Sequence, residues 1–292
     1  FRKGWCARCW VDTCFCERLP RFEASASASA SPSFGVRVWV YQHCNDYWRV
    51  NNSGKLLWLV LGESRAPLVI SAVEEHEERL RAAMRENPRR FCMLWPTPMK
   101  GGGPHLDVRA MCARCDGDDE DDDDSNSISN SLTNEPGAPE PEPVTTRGGQ
   151  YASTSSSPSR QSSALLPLEC VVLDGTWSKA KMMSRRLQRI AASAGIDDGI
   201  PTLFLRSACV SELAKLRPQP GDNKTCTAAA AAALLRELGG ALGRPRLDAA
   251  AAAVEAALSC MTQALVRRRE ANGLPGRRDT LPKQLRRAAT SA

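Results

Sequence analysis

Apolar and polar positions divide this chain into short buried runs and charged or low-complexity stretches. Phe34 to Tyr41 (FGVRVWVY) partly alternates and is rich in Val and aromatic residues, which predicts a strand. Leu56 to Leu61 and Leu68 to Val73 are further apolar runs. Glu74 to Glu86 (EEHEERLRAAMRE) reads as a charged, exposed helix, and Phe91 to Trp95 as a buried strand stopped by Pro96 and Pro98. Leu168 to Leu173 (LECVVL) is a second β-rich run, ending at Asp174. A helix is expected from Ser178 to about Ala194, and a short strand over Pro201 to Arg206. Thr227 is placed to cap a helix running through poly-Ala to Leu238, with Gly239 and Gly240 ending it. Asp248 is placed to cap the next helix, whose Val254, Leu258, Met261 and Leu265 recur at helical spacing and read as core. Strands alternating with helices indicate an α/β domain with a mainly parallel sheet, whose ligands bind at the carboxyl ends of the strands.

Composition changes that picture in three places. Residues 23–33 alternate Ala and Ser and read as a linker, which sets residues 1–22 apart as a cysteine-rich head. Residues 99–164 hold a Gly triplet, an acidic run, Pro/Glu repeats and Ser tracts. They bury too little apolar surface to offset the entropy of ordering, and read as a disordered insertion inside one domain spanning 34–270. Residues 271–292 read as a basic flexible tail. The net charge is +6, but with the eight acidic residues of Asp116–Asp124 set aside it becomes about +14, a balance suited to a polyanion. No apolar run approaches the ~20 residues of a bilayer span, so no membrane association is expected. The chain opens on Phe1 rather than Met and reads as part of a longer product. Twelve cysteines, four of them within the first sixteen residues, favour a reducing, intracellular setting and a metal site.

Four blocks carry candidate chemistry. Cys6, Cys9, Cys14 and Cys16 can surround one tetrahedral ion, zinc by default, with no open position and hence a structural role. Reduced or disulfide-bonded thiols are the alternative. Cys112 and Cys115 form a further pair without local partners. His43 to Lys55 (HCNDYWRVNNSGK) follows a strand and combines polar side chains with a Gly turn. Asp174-Gly175-Thr176-Trp177 leads from a strand end into a basic helix, and Lys224-Thr225-Cys226-Thr227 opens a helix whose amides can hold an anion.

In this order the blocks resemble the DTW-domain family of tRNA-uridine aminocarboxypropyltransferases. The head matches the family's cysteine cluster. HCNDYWRVNNSG is similar to its H-P-x-E-x-x-K/R-x-x-N-T-G pattern, with Cys44 in place of Pro. Leu94-Trp95-Pro96 matches its aromatic-Pro strand end, and D-G-T-W-x-x-A is complete over Asp174–Ala180. Cys226–Ala230 stands for S-T-x-E-A, with Ala229 in place of the acid. The resemblance implies a SPOUT-like knotted parallel sheet flanked by helices. It implies S-adenosylmethionine as donor, a structural zinc ion, tRNA as partner and no obligatory protein partner. It also implies transfer of the 3-amino-3-carboxypropyl group to N3 of a uridine. Under it Asp174, with Asp46 in reserve, is the catalytic group. Asn52, Ser53, Gly54, Pro96, Gly175, Thr176, Trp177 and Thr227 line the donor pocket, and Arg49, Lys55, Lys179 and Lys181 meet RNA. The alternatives are a tRNA-binding protein weak in catalysis, an enzyme of the ribosomal-RNA branch and a methyltransferase.

Overall fold

The computed structural model describes residues 4–22, 34–96, 103–116, 167–207, 211–216 and 225–273. Six parallel strands form one sheet in the order β2-β1-β5-β3-β6-β4: β1 Val36–Gln42, β2 Leu68–Ile70, β3 Phe91–Leu94, β4 His105–Leu106, β5 Leu168–Asp174 and β6 Thr202–Leu203. The central pair β1 and β5 is registered along its whole length, from Val36 beside Leu168 to Gln42 beside Asp174. Both strands are buried on both faces, as strands of a covered parallel sheet are.

Alternation along the strands sorts their side chains into two layers. Val36, Val38, Val40, Cys170 and Val172 face one side, with α1 (Lys55–Leu61), α3 (Val108–Asp116), α5 (Thr227–Leu242) and α6 (Pro245–Ala271). Trp39, Tyr41, Phe91, Met93 and Val171 face the other, with α2 (Glu74–Glu86) and α4 (Trp177–Ser193). The second layer is locked by a buried acid. Glu77 accepts from Tyr41 Oη (2.6 Å), the Ala72 amide (2.8 Å) and Nε and Nη2 of Arg186 (2.6 and 2.5 Å), tying β1 to α2 and α4. Burial alone would raise the Glu77 carboxyl, but the Arg186 fork, Tyr41 and the amide together hold it below the ordinary range. The helix predicted over 74–86 is present, but it is not wholly exposed, because Glu77, Leu80, Ala83 and Met84 are interior.

Three expectations are corrected. Residues 103–116, read as the start of a disordered insertion, form β4 and α3. β4 joins the sheet edge beside β6, and α3 buries Val108, Met111 and Cys115 at spacings of three and four. Cys112 and Cys115 therefore lie on a packed helix. The expected insertion at 117–164 and the tail beyond 273 lie outside the described residues. Gly239 and Gly240 do not end α5, which continues to a left-handed Gly243. A Cβ at Gly239 would stand 3.0 Å from Asp248 Oδ1, so the missing side chain lets α6 approach, and this packing outweighs a helix-propensity cost of about 1 kcal/mol. Asp248 in turn lies within the first turn of α6 and does not cap it, since Pro245 opens that helix. By length and composition α6 is apolar enough to cross a membrane, although half of its apolar window is buried. Val254, Leu258, Met261 and Leu265 lie in the core with α5.

Candidate functional site

The head is built into the core. Cys9, Val11, Phe15 and Leu19 are buried with α1 and α6, and Arg18 and Cys260 exchange hydrogen bonds through their backbone carbonyls. The four sulfurs all lie within 4.8 Å of one another, with Cys6–Cys16 at 3.7 Å and Cys9–Cys14 at 3.9 Å. A tetrahedral zinc–thiolate centre with bonds of ~2.3 Å requires sulfur separations of roughly 3.8 Å, so the cluster can hold an ion such as zinc. Burial raises the Cys6 thiol, yet the amides of Cys9 and Arg8 bring it down to about 6. Burial and the neighbouring Cys9 push Cys16 up. The four thiols cannot all ionise this close together without a cation to compensate.

Lys55 completes the joint. It is fully buried, and its Nζ donates to the carbonyls of Cys9 (2.5 Å) and Val50 (2.9 Å) beneath the Trp10 ring. Burial lowers its ammonium to about 8. The assignment of Lys55 to RNA is thereby corrected: an ammonium committed to two interior carbonyls has no surface to offer a phosphate.

At the carboxyl ends of β1 and β5 three distant segments meet. Asp174 is 4% exposed. Its Oδ1 accepts from Thr227 Oγ1 at 2.7 Å, and its backbone carbonyl accepts from the His43 amide at 3.0 Å. Gly54 presses on the same carboxyl: a Cβ there would stand 2.5 Å from Asp174 Oδ2 and 2.9 Å from Val40 Cγ1. Ser53 Oγ accepts from the Ala228 amide (3.3 Å), replacing the side-chain cap that Cys226 does not give α5. The positive end of the α5 dipole thus lies beside the Asp174 carboxylate.

The loop from His43 to Gly54 is held from within. Gln42 Nε2 and Asn52 Nδ2 both donate to the Asp46 carbonyl (3.2 and 3.5 Å). Among the described residues, their buried oxygens, Gln42 Oε1 and Asn52 Oδ1, accept no hydrogen bond. Such atoms call for a donor from a ligand or water. Asp46 is buried, with Oδ1 2.7 Å from Arg49 Nε and 2.8 Å from Lys179 Nζ, so its charge is already matched. The His43 imidazole is lowered below 6.5, first by burial and then by Lys179 and Arg49 against the opposing Asp46. Its Nδ1 accepts from the Asn45 amide, which leaves the proton on Nε2.

Asp46, Asn52, Ser53, Gly54, Asp174, Lys179 and Thr227 therefore converge. Gly175 and Thr176 are exposed at the turn into α4. Trp177 packs edge-on against Trp95 at 5.8 Å, beside exposed Pro96 at the tip of β3. Lys181 is exposed on α4, and Arg49 is half-exposed on the outer side of the loop. Ala229 is buried in the first turn of α5. Sequence reasoning missed Gln42, whose signal was available: an amide ending an apolar strand immediately before a polar loop.

Neither a curated protein nor a solved structure matches the chain. The family model of the DTW domain matches residues 3–268, which takes in the cysteine head, the 43–54 loop, the Asp174 turn and most of α6. With nearly the whole described fold inside that match, the chain belongs to the DTW-domain family.

Proposed function

We propose that this protein transfers the 3-amino-3-carboxypropyl group of S-adenosylmethionine to N3 of a uridine in tRNA. Membership of the DTW family is consistent with a tRNA-modifying enzyme of transferase type and with RNA as partner. The observation that carries the finer reading is the joining of Gly54, Asp174 and Thr227 around one buried carboxyl at the strand ends.

The residues fit such a donor. Gln42 Oε1 and Asn52 Oδ1 are buried acceptors suited to an ammonium or ribose hydroxyls, the α5 N-terminus suits a carboxylate, and the missing side chain of Gly54 lets the loop close against Asp174. The donor's sulfonium supplies an already activated methylene carbon, so the chain mainly has to orient and desolvate. As N3 bonds to that carbon, the carbon–sulfur bond breaks, methylthioadenosine departs and the N3 proton passes to a base. Asp174 is assigned to that proton or to the donor's ammonium. Asp46, neutralised by Arg49 and Lys179, positions the loop and leaves Asp174 the better candidate. The same reading places the fold with the knotted SPOUT class.

Incubation with unmodified tRNA and S-adenosylmethionine, then nucleoside mass spectrometry, tests the proposal. Aminocarboxypropyl-uridine is expected, and Asp174→Asn should lower the rate by about 10²–10⁴ if the carboxylate is the base. Methylated uridine would overturn the donor pose. Binding of tRNA without any product would leave a binding protein, with Ala229 in place of the family's acid as its cause.

A further inference from the structure

A cavity of about 550 Å³ lies between the cysteine head, residues 44–51 and the last turn of α6. It is lined by Trp5, Trp10, Trp48, Arg49, Asn51 and Arg268, and Asp174, Gly54 and Thr227 take no part in it. We infer that this cavity holds an unpaired nucleotide of the RNA substrate, its base stacked on indole and its phosphate on the arginine forks. The inference rests on the RNA-modifying reading above.

Trp48 is 50% exposed, unlike nearly every other large apolar side chain among the described residues. Its ring is nevertheless held in place, by near-perpendicular contacts with Tyr47 (4.7 Å) and Trp10 (5.5 Å). A fixed, half-exposed indole is a stacking platform, since every base has a π-face to lay on it. Arg268 lies over the Trp5 ring at 5.1 Å and bonds Asp12 through Nε, and Arg49 bonds Asp46 through Nε. These carboxylates contact the inner nitrogen of each guanidinium, and the outer nitrogens are donors of the kind that bind a second anion such as phosphate. Asn51 is exposed and offers an amide to a base edge. The volume lies within the ~300–1,000 Å³ of small-ligand pockets, enough for one nucleotide. The loop that carries Asn52, Ser53 and Gly54 toward Asp174 carries Trp48, Arg49 and Asn51 toward this cavity. A nucleotide here is therefore a near neighbour of the reacting base.

The test uses the zinc-loaded full chain and a single-stranded RNA pentanucleotide containing 4-thiouridine, without donor. Photo-crosslinks are expected at Trp48 or Trp5. Trp48→Ala should weaken binding about 5- to 150-fold, and Trp48→Phe should restore most of it. Arg268→Lys, which keeps the charge beside Asp12 but loses the fork, should also weaken binding. Crosslinks confined to other regions, or equal binding by wild type and Trp48→Ala, would overturn the inference while leaving the transfer reaction standing. Crosslinks at these indoles in a protein that transfers nothing would retain the subsite and reject the reaction.

Discussion

Replacing Gly54 by Ala tests how tightly the site is built. The backbone there is right-handed helical (φ −60°, ψ −33°), a conformation any residue adopts, so strain is not the issue. Stiffening the unfolded chain would on its own stabilise the protein by about 0.4–1 kcal/mol. The added methyl, however, would lie 2.5 Å from Asp174 Oδ2, 2.6 Å from its Cγ and 2.9 Å from Val40 Cγ1. Asp174 cannot simply swing aside, because it is buried and held by Thr227. Overpacking of this kind costs about 1–3 kcal/mol, which leaves a net loss of up to about 2.5 kcal/mol, centred on about 1 kcal/mol or about 3 °C in Tm. The displaced carboxyl should also depress the transfer rate. Gly175→Ala is the control, since its nearest new contact is Lys179 Cβ at 3.4 Å and its φ is not left-handed. Calorimetry and the transfer assay should show Gly54→Ala impaired in both and Gly175→Ala near wild type in stability. A Gly54→Ala protein as stable and active as wild type would refute the proposed crowding around Asp174.

Other outcomes follow from the same geometry. Metal analysis should find one zinc per chain, and chelation or Cys9→Ser should lower Tm by at least about 5 °C, because the head shares the core of α1 and α6. Lys55→Met should reduce stability by about 1–3 kcal/mol by stripping two buried carbonyls of their donor. It should leave the salt slope of RNA binding unchanged, whereas loss of a phosphate contact would reduce that slope by about one. His43 should titrate below 6.5 by NMR, and Lys179→Met should raise its midpoint by removing the adjacent cation. The sign for stability is fixed by linkage. The unfolded imidazole takes a proton near 6.5 while the folded one resists, so this group's contribution falls as pH drops from 6.5 toward the folded value. A His43 midpoint at or above 6.5 would contradict that environment.

The sequence by itself determined the type of most elements and the family. Valine-rich runs ending at Tyr41 and Leu173 read as strands, the 3.6-residue stripe of Val254, Leu258 and Met261 read as core, and four cysteines within eleven residues read as a metal cluster. The fold bears out the strands, the core and the convergence of the sulfurs. These signals are local: each is a periodicity or spacing that the chain carries wherever it is placed. Tertiary structure decided what local signals cannot encode. Lys55 reads as one more surface cation until the head folds over it. Gly239 reads as a helix stop until α6 needs its missing side chain, and Val108–Cys115 reads as insertion until the sheet edge gives it a surface to cover. Gln42 and Asp174 lie 132 positions apart in sequence, yet stand side by side through parallel register. Thr227 reaches the same carboxyl only because α5 starts there. Burial and hydrogen-bond partnership depend on what long-range packing brings alongside, and so no window of sequence contains them.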